Sequence, residues 1–172
     1  MKKKNAILLL TIIVVIFVTG CGDINSTKKE SEKLLKKYIN ELYTIKLPHN
    51  VNKLNVDAIN SKLNLKKLMT SEAYNELWED QTPMVLVLMA TALKYSISVE
   101  DVLVKKFQQN KDSSVTYAYN VKLNLYCLKD KKNHKKSLNG KVTLKRINLK
   151  WKVIKNNECS LENIITDDLI YK

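Results

Sequence analysis

Glycine is almost missing from this chain, with three in 172 residues, at positions 20, 22 and 140. Phosphate-cradling loops, dinucleotide-binding turns and the strained serine elbow of hydrolases each need several glycines, where backbone approaches a ligand or takes positive φ. With Gly140 alone beyond residue 22, those enzyme classes are excluded. Arginine is scarcer still: Arg146 is the single guanidinium among 30 basic residues. Base edges and phosphates are read best by arginine's planar fork, and no basic stripe here is interleaved with aromatics, so nucleic acid is not an expected partner. Histidine is limited to His49 and His134, which have metal-ligand spacing neither with each other nor with a carboxylate pair. His134 also sits among Lys131, Lys132, Lys135 and Lys136, which would repel a cation. Both histidines are expected in solvated loops, with no metal and no cofactor.

What is present begins with Lys2, Lys3 and Lys4, followed by an apolar stretch from Ala6 to Val18 interrupted in polarity only by Thr11. That is the layout of a secretory signal. The stretch is 13 residues long, whereas a membrane-spanning helix needs roughly 20. Val18, Thr19, Gly20 and Cys21 then resemble the lipobox of bacterial lipoproteins: an apolar residue, two small ones, and a cysteine. Val18 departs from the commonest leucine but stays apolar. The resemblance implies removal of residues 1–20 and a diacylglycerol thioether on Cys21, which makes that thiol an anchor at the outer face of a cell membrane. Two acyl chains give stable attachment, at about 0.8 kcal/mol per buried methylene. Residues 21–27 are expected to form a short polar tether with a mean reach of about 13 Å, and residues 28–172 a single domain.

Three of the thirteen net positive charges leave with residues 1–20, so the remainder carries about +10. Usage rich in lysine, asparagine and isoleucine looks like that of an AT-rich Gram-positive genome. Such a charge would hold a domain near anionic lipid or wall polymer.

Along the domain, Leu34, Leu35, Tyr38, Ile39, Leu42 and Tyr43 recur every three or four residues and predict an amphipathic helix over 28–45. A short helix is expected over 56–63. Thr70 or Ser71 can cap a third, with Ala73, Tyr74, Leu77 and Trp78 on its apolar face. Thr82-Pro83 suits the start of a fourth running to about Tyr95; its apolar density also allows a buried strand, and its length favours helix. Beyond Ser98 the period drops to two. Val102, Val104 and Phe107 mark one strand, and Asn110 to Ser113 a turn. Val115, Tyr117, Tyr119, Val121, Leu123, Leu125 and Cys127 mark a long second strand. Lys129 to Lys136 read as a link to a third with Val142 and Leu144, and Leu149, Trp151 and Val153 share a face of the last. Helices followed by strands predict an α+β fold, with amino-terminal helices packed on a four-stranded antiparallel meander.

This order, with MTSEAY at 69–74, YSISVEDVLV at 95–104 and LKWKVI at 149–154, is similar to that of the cystatin-like and NTF2-like domains found in many Gram-positive lipoproteins. The resemblance implies a cone-shaped sheet wrapped on its helices. Members of that class include ligand-binding enzymes, conjugation-machinery subunits and lipoproteins without assigned roles.

Three groups of candidate residues stand out. Cys127 and Cys159 are a candidate disulfide in an exported chain, against the alternative of buried thiols. Tyr117, Tyr119 and Trp151 are candidates for lining a concave pocket, with Asp101 near its mouth; strand tyrosines are otherwise core packing. Lys131, Lys132, Lys135 and Lys136 are candidates for contact with anionic lipid or wall polymer, with the acidic tail from Glu162 to Asp168 as a candidate partner, and otherwise a solvated loop. The expected function is a non-catalytic envelope interaction module that meets a protein or wall polymer, specifically an accessory, immunity or exclusion lipoprotein of a mobile element. The alternative is a small-ligand binder or enzyme using the concave face. Replacing Cys21→Ala should release the protein from membrane fractions or block its processing; a processed protein that stays on the membrane would contradict lipid anchoring.

Overall fold

Spacings of three and four put Leu35, Tyr38, Ile39, Leu42 and Tyr43 on one side of helix α1 (Ile24–Tyr43), and all five are buried against the sheet. The computed structural model describes residues 24–48 and 55–157. Helix α1 starts four residues before the expected boundary, so residues 24–27, read from sequence as tether, are helical and only Gly22 and Asp23 separate Cys21 from it. Helix α2 (Val56–Lys62) is capped by the Asn55 side chain, which accepts from the Ala58 N–H at 3.1 Å, and runs into a 3-10 turn at Leu63–Lys67. Helix α3 (Ser71–Glu79) has the expected Thr70 cap, its hydroxyl accepting from the Ala73 N–H at 3.3 Å. Helix α4 (Thr82–Leu93) carries Pro83 in its first turn and buries Leu86, Val87 and Ala90. The apolar segment is therefore helix and not strand.

Strands β1 (Tyr95–Gln109), β2 (Val115–Cys127), β3 (Asn133–Ile147) and β4 (Lys150–Asn157) form an antiparallel sheet in the order 1-2-3-4. The architecture is the expected α+β meander. Register shifts between Val99 and Asp101, between Val104 and Lys106, and at Thr143/Leu144 against β4 bend the sheet around its helices. The β1–β2 turn is held by Asp112, whose carboxylate accepts from the Ser114 hydroxyl (2.6 Å), the Ser114 N–H (3.2 Å) and the Lys145 ammonium (3.0 Å). The Ser114 hydroxyl first, then Lys145, hold this carboxyl down at about 2.

Alternation along β2 decides the faces. Odd positions from Val115 to Cys127 are buried under the helices, and in register they face Leu144, Val142, Gly140 and Leu138 of β3. Gly140 stands opposite Tyr119, where a Cβ would run into the phenol ring, 2.5 Å from Cζ. The domain's one glycine is thus required by a close approach rather than by a turn. Turns are made without glycine: Gln81, Lys94, Ser113, Lys131, Asn148 and Leu149 all take left-handed φ. Leu149, expected on the last strand, lies instead in the two-residue β3–β4 turn with φ 64° and 82 % exposure. Both residues of that turn have positive φ, the type I′ signature, which costs a non-glycine residue about 1 kcal/mol.

Segments from the helical layer cover parts of both sheet edges. Ile45 exchanges backbone bonds with Ile97 of β1 (2.8 Å each way), while the Val153 N–H donates to Leu68 and the Thr70 N–H donates to Val153, each at 2.9 Å, on β4.

The carboxyl end of α1 lacks a glycine cap and uses Lys62 instead. This fully buried side chain comes from α2 and donates to the carbonyls of Glu41 (2.8 Å), Leu42 (2.9 Å) and Thr44 (2.6 Å). Those are the acceptors a helix leaves unpaired in its last turn. Burial pushes the ammonium down from 10.5 to about 8, partly offset by the Glu41 carboxylate. Between those values the unfolded chain holds a proton that the folded chain has released, so the stability contributed by Lys62 rises with pH across that window. Lys62→Met should lose about 2 kcal/mol near neutrality, because three buried acceptors lose their donor. Urea midpoints of the two proteins should then diverge further as pH rises from about 8 towards about 10, by up to ~1.4 kcal/mol per pH unit. A gap that narrows over that range would refute this role.

Candidate functional site

On the inner face of the sheet, where Tyr117 and Tyr119 are candidates either for a pocket or for core packing, the structure packs both. Tyr117 and Tyr119 are 0 % and 1 % exposed. The Tyr117 hydroxyl shares a 2.7 Å hydrogen bond with the Ser31 hydroxyl and donates to the Lys28 carbonyl at 3.1 Å, both on α1. Its ring lies 5.3 Å from that of Phe107, and the Lys28 ammonium sits 5.9 Å from the Phe107 centroid. Burial raises the Tyr117 phenol above its ordinary value, so it stays protonated and acts as a fixed tie between sheet and helix. Trp151 is half-buried on β4, opposite Arg146 of β3 and separated from Tyr117 by the width of β3. The three candidate pocket residues therefore do not line one opening. Asp101 is exposed opposite Lys122, on the other face of the sheet, and places no carboxylate beside the phenols.

His134 is not in a loop. It belongs to β3, pairs with Leu125, and stands edge-on to the Tyr95 ring at 5.6 Å and 87°. Its strand begins earlier than the lysine run suggests, because Asp130 accepts the Lys132 N–H (3.0 Å) and Lys131 takes φ 59°, closing the turn before Asn133. That backbone bond is also the first cause of a lowered Asp130 pKa. The four candidate lysines are consequently divided. Lys131 and Lys132 are in the turn, Lys135 faces outward in a 3.1 Å ion pair with Glu100, and Lys136 faces inward opposite Leu123. They do not form one contact patch. His49, Cys21 and the tail from Glu162 to Asp168 lie outside the described residues. Among the described residues, no three His, Cys, Asp or Glu side chains come together as metal ligands.

Cys127 is buried at the end of β2, and Cys159 lies outside the described residues. The register nevertheless limits their pairing. Asn157 opposes Lys141, which opposes Ala118, nine residues before Cys127. Nine strand residues span about 30 Å, while two residues beyond Asn157 reach at most about 7.6 Å. A disulfide needs Cα atoms within about 7 Å. The candidate bond is out of reach within one chain.

The outer face is uncovered by any described element and carries mostly short polar and lysine side chains, with Leu103 and Ile147 exposed among them. Across it run the rows Lys106, Ala118, Lys141, Asn157 and Gln108, Thr116, Thr143, Lys155. The Thr116 and Thr143 hydroxyls meet at 3.1 Å. Lys62 and these rows are what sequence reasoning missed: a buried lysine on a short polar helix looks solvated, and the rows exist only once register is known.

When the mature monomer is unfolded without reductant, it should yield two titratable thiols; none would show that Cys127 and Cys159 are bonded.

No family model matches the chain, and no curated protein matches it. Solved structures do. A periplasmic fragment of TraM is similar over 77 % of this chain and 98 % of its own, at 10 % identity and a TM-score of 0.50. The transfer protein TraH of a Gram-positive conjugative plasmid is similar over 78 % and 94 %, at 16 % identity and 0.47. An IcmL-like type IV secretion system protein from Legionella pneumophila is similar over 73 % and 87 %, at 9 % identity and 0.49. At such identities the likeness is one of fold alone, and that to the TraM fragment agrees with the helices-on-meander architecture.

Proposed function

We propose that this chain is an extracytoplasmic lipoprotein, held by lipid on Cys21, whose α+β domain is a non-catalytic interaction module of a conjugative transfer or secretion apparatus, an accessory protein of a mobile element. The observation that carries this reading is the closed inner face. In this architecture a concave sheet is where a small ligand or substrate would enter, and here α1 occupies it through the Tyr117–Ser31 bond. What remains for recognition is surface. The export signal at residues 2–18 supports a location beyond the cytoplasm. The fold shared with the periplasmic fragment of TraM supports the choice of apparatus, as a likeness of fold. An immunity or exclusion role is a narrower form of the same reading.

The test is crosslinking in intact cells, with identification of what is joined to the mature chain. Envelope components of a transfer or secretion apparatus are the expected products. Crosslinks confined to cytoplasmic proteins, or turnover of a small metabolite by the purified chain, would overturn the proposal.

A further inference from the structure

The outer face of the sheet is a surface left without an assignment. In the two rows that cross all four strands near the β1–β2 turn, Lys106, Lys141 and Lys155 are exposed, and the remaining positions are Ala118, Gln108, Thr116, Thr143 and Asn157. Neither row contains an acidic residue. Elsewhere on this face Lys135 is engaged with Glu100 at 3.1 Å, Lys145 with Asp112 at 3.0 Å, and Lys152 with the Lys67 carbonyl at 2.6 Å, while Lys150 is exposed opposite Ile147. Lys122 stands opposite Asp101. Glu100, Asp101 and Asp112 thus each stand beside a lysine outside the two rows, and Lys106, Lys141 and Lys155 have no carboxylate in their own rows. Lys106 and Lys141 flank Ala118, about 10 Å apart across two strand spacings. Lys155 is diagonal to Lys141, at roughly 7–8 Å. The methyl of Ala118 leaves a shallow trough between taller side chains.

We infer that this strip binds a phosphodiester-linked polyol chain, a soluble or wall-attached polyanion, with ammonium groups on successive phosphates and the threonine, glutamine and asparagine side chains beside the polymer hydroxyls. The inference rests on the extracytoplasmic reading above and names the partner of its free surface. A protein partner would call for aromatic or large apolar anchors; the two rows hold none, and the adjacent row offers Leu103, exposed opposite Asn120, without an aromatic beside it. A bilayer fits less well. Ser31 and Lys28, in the first turns of the helix that follows Cys21, pack on the inner face, so the strip is turned away from the helix that leads to the anchor. Lysines, as point charges, suit repeated phosphates without selecting a fixed geometry.

The experiment compares the full mature chain with a variant carrying Lys106→Gln, Lys141→Gln and Lys155→Gln, and with a charge-matched control carrying Lys29→Gln, Lys33→Gln and Lys37→Gln on exposed positions of α1. The probe is synthetic poly(glycerol phosphate), with unilamellar vesicles containing anionic phosphatidylglycerol as the second arm. The sheet variant should bind the polymer at least about tenfold more weakly, with a salt slope shallower by about 2 for three lost phosphate contacts, and the control should bind as the parent does. Equal losses in both variants would reduce the effect to net charge and overturn the inference. So would an intact affinity in the sheet variant with an unchanged melting temperature, or vesicle binding that falls in the same variant while polymer binding does not. In-cell crosslinks to an apparatus protein that survive alongside any of those results would leave the proposed function standing and remove only the polymer strip.

Discussion

The end of α1 is satisfied from a distance, and the helical layer hangs on that arrangement. A helix of 20 residues must finish somewhere, and its last carbonyls need donors. Many helices supply a left-handed glycine at that point, and beyond residue 22 this chain has only Gly140. Lys62 does the work instead, reaching from α2 to three carbonyls at once and so tying the position of α2 to the end of α1. The ammonium is desolvated in the process, which its lowered pKa records. The gain is positional: from Lys62 the 3-10 turn and α3 follow in sequence, and their link at Leu68–Thr70 bonds to Val153 on β4.

The opposite end of α1 is tied to the sheet. Tyr117 reaches up from β2 to Ser31 and to the Lys28 carbonyl, fixing the helix over the inner face. With Ile45 paired to Ile97 just after the helix, α1 is held at both ends. The apolar stripe between those ties supplies the burial, and the polar contacts select one orientation of it. A cleft between α1 and β2 would take from the Tyr117 phenol its bonds to Ser31 and the Lys28 carbonyl, at about 1–3 kcal/mol for a buried group left unpaired. The inner face is accordingly a core and not a container.

Much of this was legible in the sequence, because helix and strand periods are local. The stripe at Leu35, Tyr38, Ile39 and Leu42, the Thr70 cap, Pro83 in the first turn of α4 and the alternation of β2 are each set by neighbours within a few residues. What escaped depends on parity and on distant acceptors. The start of β3 hinges on a turn closed by Asp130 and Lys131, and moving that start changes which face each of Lys135, Lys136 and His134 occupies. Leu149 has the composition of a strand residue but occupies the turn, since the chain lacks a glycine to offer there. The candidate tyrosines were read on the correct face; only the position of α1 decides whether that face is open.

The same reasoning bears on where function can reside. Once the inner face is spent on α1, the residues available to a partner are those that folding does not consume, and the candidates shift from tyrosines to lysines. Lysines of the outer face belong to strands whose other side is core, so their spacing is imposed by the ladder rather than by flexible loops. Their net charge also has little to oppose it, since Glu100 and Asp112 are already paired with Lys135 and Lys145. A surface of this kind discriminates poorly among small solutes, each of which meets one exposed ammonium in water, and gains strength only when several charges are presented together on one chain. A rigid strip of lysines is therefore matched to an extended partner of repeating charge, and the scarcity of arginine on it is consistent with reading charge density rather than a single fixed shape.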